Sequence, residues 1–340
     1  MAARTASEEM VAARHAVRQH VEDLGSDKIV IVACSGGPDS LALTAVAAWV
    51  GERAGLTVRA VVVDHQAQVG SAEVAARAAK ACRTLGVSDV DIVDVEVGTH
   101  GGFEAAARRA RYEALEQAAR TYGANAVLLG HTLDDQAETV LLRMARGSGA
   151  RSLAAMSAVS GLWRRPFLSL RRSVVHAVAD EALAPHGLQA WKDPHNADDR
   201  FARVRVRSTL TRLEADLGDA VVESLGRTAE LLRADADALD ALADAAWHQH
   251  VLLGEGEVGA TIDDLSAMPD AIRWRVIRRM AIELDAPEED IGYDVVRRVD
   301  AFVTDWHGQG AASLPSGIQA QRVCGRLSLH RPHQTGSREG

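Results

Sequence analysis

The stretch Ser35-Gly36-Gly37-Pro38-Asp39-Ser40 stands where two sequence patterns meet. Before it runs an unbroken apolar segment, Ile29-Val30-Ile31-Val32-Ala33-Cys34, and after it an Ala/Leu-rich amphipathic one from Leu41 to Val50. A short β-branched run followed at once by helical spacing predicts strand, tight turn, helix. Adjacent glycines let the turn take positive φ and bring backbone N–H groups close to a ligand. Ser35 and Ser40 add hydroxyls, and the unpaired N–H groups of the new helix point into the loop. Such a loop suits phosphate, the helix dipole favouring an anion by roughly 0.3–1 kcal/mol. Capping would explain a lone serine or aspartate here, but not SGG and DS together. Neither G-x-x-x-x-G-K-[ST] nor G-x-G-x-x-G fits the junction.

The 340 residues suffice for two domains, and 47% apolar with 25% charged residues is ordinary for a globular protein. No run of about 20 apolar residues occurs, and Glu8 and Glu9 stand where a signal peptide would be apolar, so a cytoplasmic location with no membrane partner is expected. Cys34, Cys82 and Cys324 form no C-x-x-C, which argues against a disulfide framework or zinc ribbon. The net charge of −9 is unevenly spread: Val140 to Arg212 holds 13 Arg/Lys against 5 Asp/Glu, while Leu213 to Ala320 holds 8 against 22. An acidic chain with one basic central stretch suits a local anionic partner such as an RNA stem.

Helix is expected from Ala6 to Leu24, strands at Lys28–Cys34, Val58–Val63, Val90–Val97 and Ala126–Gly130, and helices at Ser71–Leu85, Phe103–Tyr122 and Asp134–Arg146. This alternation predicts an α/β fold with a parallel sheet covered on both faces. The second strand ends in Asp64-His65, where nucleotides meet parallel sheets; a capping or surface role for His65 is the alternative. Glu104, Arg108, Arg109 and Arg111 lie on one helix and otherwise read as a solvated face. In Gly130-His131-Thr132-Leu133-Asp134-Asp135-Gln136-Ala137-Glu138-Thr139, Asp135 and Glu138 share a helical face near an N-terminus. A capping box would explain one acid; a carboxylate pair beside a phosphate loop can instead bind Mg²⁺ or a cationic substrate. The basic stretch carries Arg146, Arg164, Arg165, Arg171, Arg172, Arg200, Arg203, Arg205 and Arg207, interleaved with Trp163, Phe167, Trp191 and Phe201. Arg203, Arg205 and Arg207 alternate, while Arg200, Arg203 and Arg207 fit one helical face; either geometry suits phosphates and unstacked bases. Beyond Leu213 the pattern is helical at Ala229–Val251, Leu265–Leu284 and Asp294–Trp306, closing with a hairpin within Leu314–His330 and a disordered tail from Thr335. Trp247, Trp274 and Trp306 read as core. The expected division is residues 1–212 as a catalytic domain, 213–332 as a smaller, mainly helical RNA-binding domain, and 333–340 as tail.

Ser-Gly-Gly-x-Asp-Ser resembles the pyrophosphate loop of the ATP pyrophosphatase superfamily, which implies an adenine nucleotide α hydrolase-like fold and cleavage of ATP between its α and β phosphates. Asp39, a carboxylate among phosphates, makes sense there with Mg²⁺ between them. Taken in order, SGGxDS, Asp64-His65, E-x-x-A-R-x-x-R-Y, G-H-T-x-D-D-Q-A-E-T, R-G-S-G, R-P and D-P-x-N-x-D-x-R-F-x-R resemble the tRNA(Ile)-lysidine synthetase family, densely from Val30 to Arg207 and in outline beyond. The chain departs from the family pattern at Gln66-Ala67-Gln68, at Lys192 and at Val204.

The resemblance implies that ATP adenylates the C2 carbonyl oxygen of the wobble cytidine in a CAU anticodon, and that free L-lysine then displaces AMP. It implies ATP binding by Ser35, Gly36, Gly37, Pro38, Asp39, Ser40, Asp64, His65, Gly130 and His131, with Mg²⁺ on Asp39. It further implies lysine binding by Arg111, Asp135 and Glu138, and tRNA binding by Arg146, Arg164, Arg165, Arg200, Arg203, Arg205 and Arg207. Asp39, Arg111, Asp135 and Glu138 form the implied catalytic set. A tRNA-thiolating pyrophosphatase would share the loop but needs paired cysteines; a noncatalytic RNA-binding protein would be expected to lack Asp39 or the acid pair. Monomer and homodimer both stay open.

Overall fold

A computed structural model describes residues 6–66, 70–98, 102–147, 149–191, 193 and 200–332. The tail, Ser148, Ala67 and Gln68 of the departing tripeptide, Lys192, and 194–199 of the D-P-x-N-x-D motif lie outside the described residues. The chain divides into two compact units, Met1–Leu232 and Arg233–Gly340.

The first unit opens with α1 (Glu8–Gln19), capped by Ser7, whose hydroxyl accepts from the Met10 N–H at 3.1 Å. Then follow β1 (Ile29–Ala33), α2 (Pro38–Ala54), β2 (Thr57–Asp64), α3 (Ser71–Thr84), β3 (Asp89–Asp94), α4 (Phe103–Tyr122), β4 (Ala126–Leu128) and α5 (Leu133–Met144). Short elements α6 (Ala150–Leu153), β5 (Val159–Ser160) and β6 (Trp163–Arg164) precede α7 (Arg172–Leu183), α8 (Ala202–Leu217) and α9 (Val221–His250), within which the two units divide. The six strands run in the order β3-β2-β1-β4-β6-β5, parallel throughout except for β5.

β1 shows why the sheet is double-sided. Val30 and Val32 pack into a core with α1, α2, α3 and α7 residues such as Met10, Leu43, Ala78 and Val175, while Ile31 faces the opposite core around Leu115 and Ala118 of α4. All three are fully buried, as expected of a central parallel strand. From β1 the chain builds outward through β2 and β3, then returns to place β4 on β1's other side, in register Val30↔Ala126 to Val32↔Leu128. The strand order therefore reverses between β1 and β4, and a crevice opens at their carboxyl ends.

The second unit holds the end of α9, then β7 (Leu252–Gly254), β8 (Glu257–Thr261), α10 (Ile262–Ala267), α11 (Asp270–Glu283), α12 (Tyr293–Thr304), β9 (Ala312–Ser313), β10 (Gln319–Val323) and β11 (Arg326–His330). Its five strands form an antiparallel sheet, β7-β8-β11-β10-β9, so the expected terminal hairpin is the centre of something wider. The expected helix Leu265–Leu284 is two helices, because Pro269 forces Met268 into extended backbone at ψ 141°. The core gathers Leu265, Ile277, Met280, Ile318, Leu327 and Leu329. Fully buried Asp300 is matched by Arg273 at 2.6 Å and Arg297 at 2.9 Å. Trp247 is core, whereas Trp306 is more than a third exposed.

Candidate active site

The Ser35–Ser40 loop and the Gly130–Asp135 turn leave β1 and β4 side by side at the reversal point. Gly36 takes φ +80°, and a Cβ there would come within 3.0 Å of Ala78 on α3. Gly37 caps α2 without a side chain, and Pro38 occupies the first turn, where its missing N–H costs nothing. Ser40 is buried and ties the loop together: its hydroxyl accepts from the Ser35 N–H at 3.2 Å and donates to the Gly37 carbonyl at 3.0 Å. The Trp191 N–H donates to the Gly36 carbonyl at 2.9 Å, so the chain beyond α7 returns to the loop. At Gly130 a Cβ would sit 3.1 Å from the Asp39 carbonyl oxygen and 3.4 Å from the Ser40 nitrogen. Only glycine lets the two loops approach so closely.

Asp39 projects its Oδ1 into a place closed to solvent, with no hydrogen-bond partner among the described residues. Nε2 of His176, on α7, approaches it to 3.1 Å without hydrogen-bond geometry. No three His, Cys, Asp or Glu side chains converge as a metal group among the described residues. One carboxylate beside a phosphate loop nevertheless fits Mg²⁺, which takes one or two protein oxygens and completes its octahedron with substrate phosphates and water. At the end of β2, buried Asp64 shapes the next turn: Oδ1 accepts from the Gln66 N–H at 2.9 Å and Oδ2 from the Ser71 hydroxyl at 3.2 Å.

Asp135 caps α5 and does more. Its Oδ2 accepts from the Thr132 N–H at 2.7 Å and the Thr132 hydroxyl at 2.9 Å, completing a capping box. Its Oδ1 accepts from Arg172 at 2.8 Å. Burial opposes its charge, yet Arg172 and the Thr132 hydrogen bonds outweigh burial and hold the carboxyl below the usual range. Glu138 is 2% exposed, and its Oε1 accepts from Arg172 at 2.9 Å and from the Arg207 Nε at 3.0 Å. The Arg172 backbone N–H donates to Asp134 at 2.6 Å, fixing the start of α7 against the start of α5. Arg171 joins Glu214 at 2.7 Å and Glu223 at 2.9 Å.

A cationic cluster lies alongside. His131 is pushed down to about 3, mainly by burial, with Arg111, Arg165 and Arg108 adding repulsion and Asp135 opposing. Burial and then Arg111 lower His65. Arg111 is itself lowered by burial and then by Arg108 and Arg203. Nε of Arg111 and of Arg165, and Nδ1 of His65 and of His131, are closed to solvent without a hydrogen-bond partner among the described residues. Mutually repelling donors left unsatisfied make a place for an anion.

The central basic stretch separates into inward and outward residues. Arg164 is buried, bidentate to Asp23 at 2.6 and 2.9 Å, and Arg165 is buried with its guanidinium on the Ser157 carbonyl at 2.7 Å. Both stand inside the fold rather than on the surface expected of RNA contacts, because Asp23 and the His20 carbonyl hold the one guanidinium and the Ser157 carbonyl the other. Arg146, Arg200, Arg203 and Arg205 are exposed. α8 is a helix, so Arg203 and Arg207 share a face: Arg203 reaches Glu104 at 3.4 Å and Arg207 reaches Glu138. Arg172 and His176 are the residues that sequence reasoning did not assign; a buried carboxylate pair demands a cation, and the Arg171-Arg172 pair was the signal for it.

A family model described as the PP-loop domain matches residues 10–214. The tRNA(Ile)-lysidine synthase of Thermobifida fusca is 50% identical over 315 residues, covering 92% of this chain and 95% of that protein. That of Streptomyces coelicolor is 47% identical, covering 89% and 85%. Among solved structures, a U34-tRNA thiolase from Methanococcus maripaludis matches with TM-score 0.55 at 19% identity over 66% of this chain, a likeness of fold. With a PP-loop domain over most of its length and relatives of this identity end to end, the chain belongs to the tRNA(Ile)-lysidine synthase family.

Proposed function

We propose that this chain joins free L-lysine to C2 of the wobble cytidine in the CAU anticodon of tRNA(Ile), consuming ATP and releasing AMP and pyrophosphate. The observation that carries the reading is the meeting of two loops at the β1/β4 reversal, where Gly130 lies against Asp39 and an acid pair, half-buried Asp135 and buried Glu138, follows in the first turns of α5. In the first step the cytosine O2 attacks the α-phosphorus; the bond to the bridging oxygen breaks and pyrophosphate leaves. The α2 N-terminus and the Ser35–Ser40 loop would take the departing charge. Asp39 would hold Mg²⁺, whose charge offsets that of the phosphates. In the second step the bound ε-ammonium gives one proton to a carboxylate, the neutral amine attacks C2, the C2–O bond breaks, AMP leaves, and the second proton of the adduct passes to solvent. Asp135 and Glu138 would receive the ammonium form, and the cluster of Arg108, Arg111 and Arg165 would receive the lysine carboxylate.

A sulfur-transferring reading shares the fold but finds little support: Cys34 and Cys82 are buried and no C-x-x-C occurs. Release of labelled AMP from ATP by the purified protein, dependent on both lysine and a CAU-anticodon transcript, tests the assignment. AMP release that ignores lysine would overturn it.

A further inference from the structure

Glu138 has two cations on one oxygen. Its carboxylate is almost fully buried, and both Arg172 and Arg207 donate to Oε1. Arg172 also serves Asp135 and belongs to the start of α7, which is pinned through its backbone to Asp134. Arg207 differs in every respect. Its side chain is 39% exposed, on a helix, α8, that is itself anchored by Leu210 and Val206 against Ala137 and Val222 and by the Glu214–Arg171 pair. α8 also carries the exposed Arg203 and Arg205, and its ion pair to Glu104 is open to solvent. A partly exposed arginine side chain changes rotamer at low cost, without any movement of its helix.

We propose that Arg207 is a built-in stand-in for the substrate ammonium: without RNA its side chain occupies Glu138, and RNA phosphates draw that side chain away, so the amine site opens only once RNA is engaged. This rests on the reading of Asp135 and Glu138 as the amine site. Without Arg207 the buried carboxylate would keep only Arg172, which it shares with Asp135, and thinning the pairing of a buried charge is costly; a guanidinium carried on the helix of Arg203 and Arg205 fills the place between turnovers and reports on RNA. The exchange replaces one charge-assisted hydrogen bond with another. An amine site blocked most of the time lowers apparent lysine affinity by the open fraction, which keeps the amine away until there is an RNA to attack.

The opposite role is also chemically sound: Arg207 could hold Glu138 in place while the amine uses Oε2. The two roles predict opposite signs. Equilibrium dialysis of radiolabelled L-lysine against the full chain, without ATP, reads them directly, with and without a CAU-anticodon transcript. In the wild type, RNA should tighten lysine binding by about tenfold, for an open fraction of about a tenth. Arg207→Met should bind lysine without RNA about as tightly as the wild type does with it, and RNA should then add little. Adding Glu138→Gln should remove that gain. Weaker or unchanged lysine binding in Arg207→Met, or a gain that survives Glu138→Gln, would overturn the proposal. Arg207→Gln serves as a second neutral variant, and thermal melting confirms that each is folded. Failure of the acid-pair reading shows separately, as a Glu138→Gln single variant whose lysine KM in the full reaction is unchanged.

Discussion

The Asp39 carboxylate is half-buried, and its Oδ1 is closed to solvent with no hydrogen-bond partner among the described residues, so its removal should silence chemistry without touching the fold. Asp39→Ala is expected to melt as wild type and to retain less than about a tenth of AMP formation, since one lost charged contact is worth on the order of 1.5–3 kcal/mol. A folded variant with nearly full activity would remove Asp39 from the mechanism. Glu138→Gln should raise the lysine KM by about 10- to 150-fold on the same energetic grounds, while the ATP KM moves little. Equal loss at every lysine concentration, relieved by excess Mg²⁺, would point to metal instead. His131 supplies a pH signature. Its folded value of about 3 lies below the ordinary 6.5, mainly through burial. Between those values the unfolded chain takes up a proton that the folded chain refuses. Stability therefore falls as pH drops below 6.5 and is complete above it, with a slope of about 1.4 kcal/mol per pH unit for one proton. His131→Asn should flatten that slope in denaturant midpoints measured from pH 4.5 to 7.5; an unchanged slope would mean that the ring is charged in the fold. At this scale the sequence was eloquent about chemistry-bearing side chains and silent about which cations answer them. Asp135 and Glu138 could be picked out from i,i+3 spacing, whereas Arg172 and Arg207 reach them from 34 and 69 residues away.

The starts of α5 and α7 are built as one unit. Thr132 and Asp135 close the capping box, Asp134 takes the Arg172 N–H, and the Arg172 side chain bridges Asp135 and Glu138. Arg172→Met would leave Glu138 with Arg207 alone and Asp135 without its arginine, and is expected to cost about 3–5 kcal/mol, since removing one partner of a buried pair leaves charge uncompensated. Adding Glu138→Gln should recover part of that loss, and chemical denaturation of the four species of the cycle checks it. Strict additivity would show that the bridge does not operate. The central helices and strands were legible because apolar runs such as Ile29–Ala33 and Ala126–Leu128 are short, β-branched or followed directly by a helical pattern. β7 and β8 were not: Glu257-Val-Gly-Ala-Thr offers one large apolar side chain, and the strand exists because β11 supplies five partners along its length. Pro269, which splits α10 from α11, was visible in the sequence, but a helix that restarts one residue later imitates a continuous one.

The whole chain carries −9, and an RNA partner must be held against that charge. On the proposed reading the exposed arginines of the first unit, not the average, would set the encounter. Replacing Arg203 and Arg205 with Gln should weaken transcript binding, each lost phosphate contact flattening the slope of log K against log salt by roughly 0.7–0.9, while ATP affinity holds. Filter binding across 50–300 mM salt, a span chosen around the roughly 200 mM where such contacts fade, reads this; an unaltered slope would make these arginines structural. The reversal of strand order between β1 and β4 could be foreseen only as a parallel sheet, because pairing order is set by long-range contacts that no local spacing encodes. The close approach at Gly130 then acquires a meaning for the organism. Adding one methyl there pushes first on the backbone of Asp39 and Ser40, far in sequence from the arginines of α8. A Gly130→Ala chain would be expected to fold and to grip its transcript, yet leave it unmodified. Produced beside the intact protein, such copies would be decoys, withholding transcripts from it in proportion to their number, so a single carbon atom could turn a recessive loss into a dominant one.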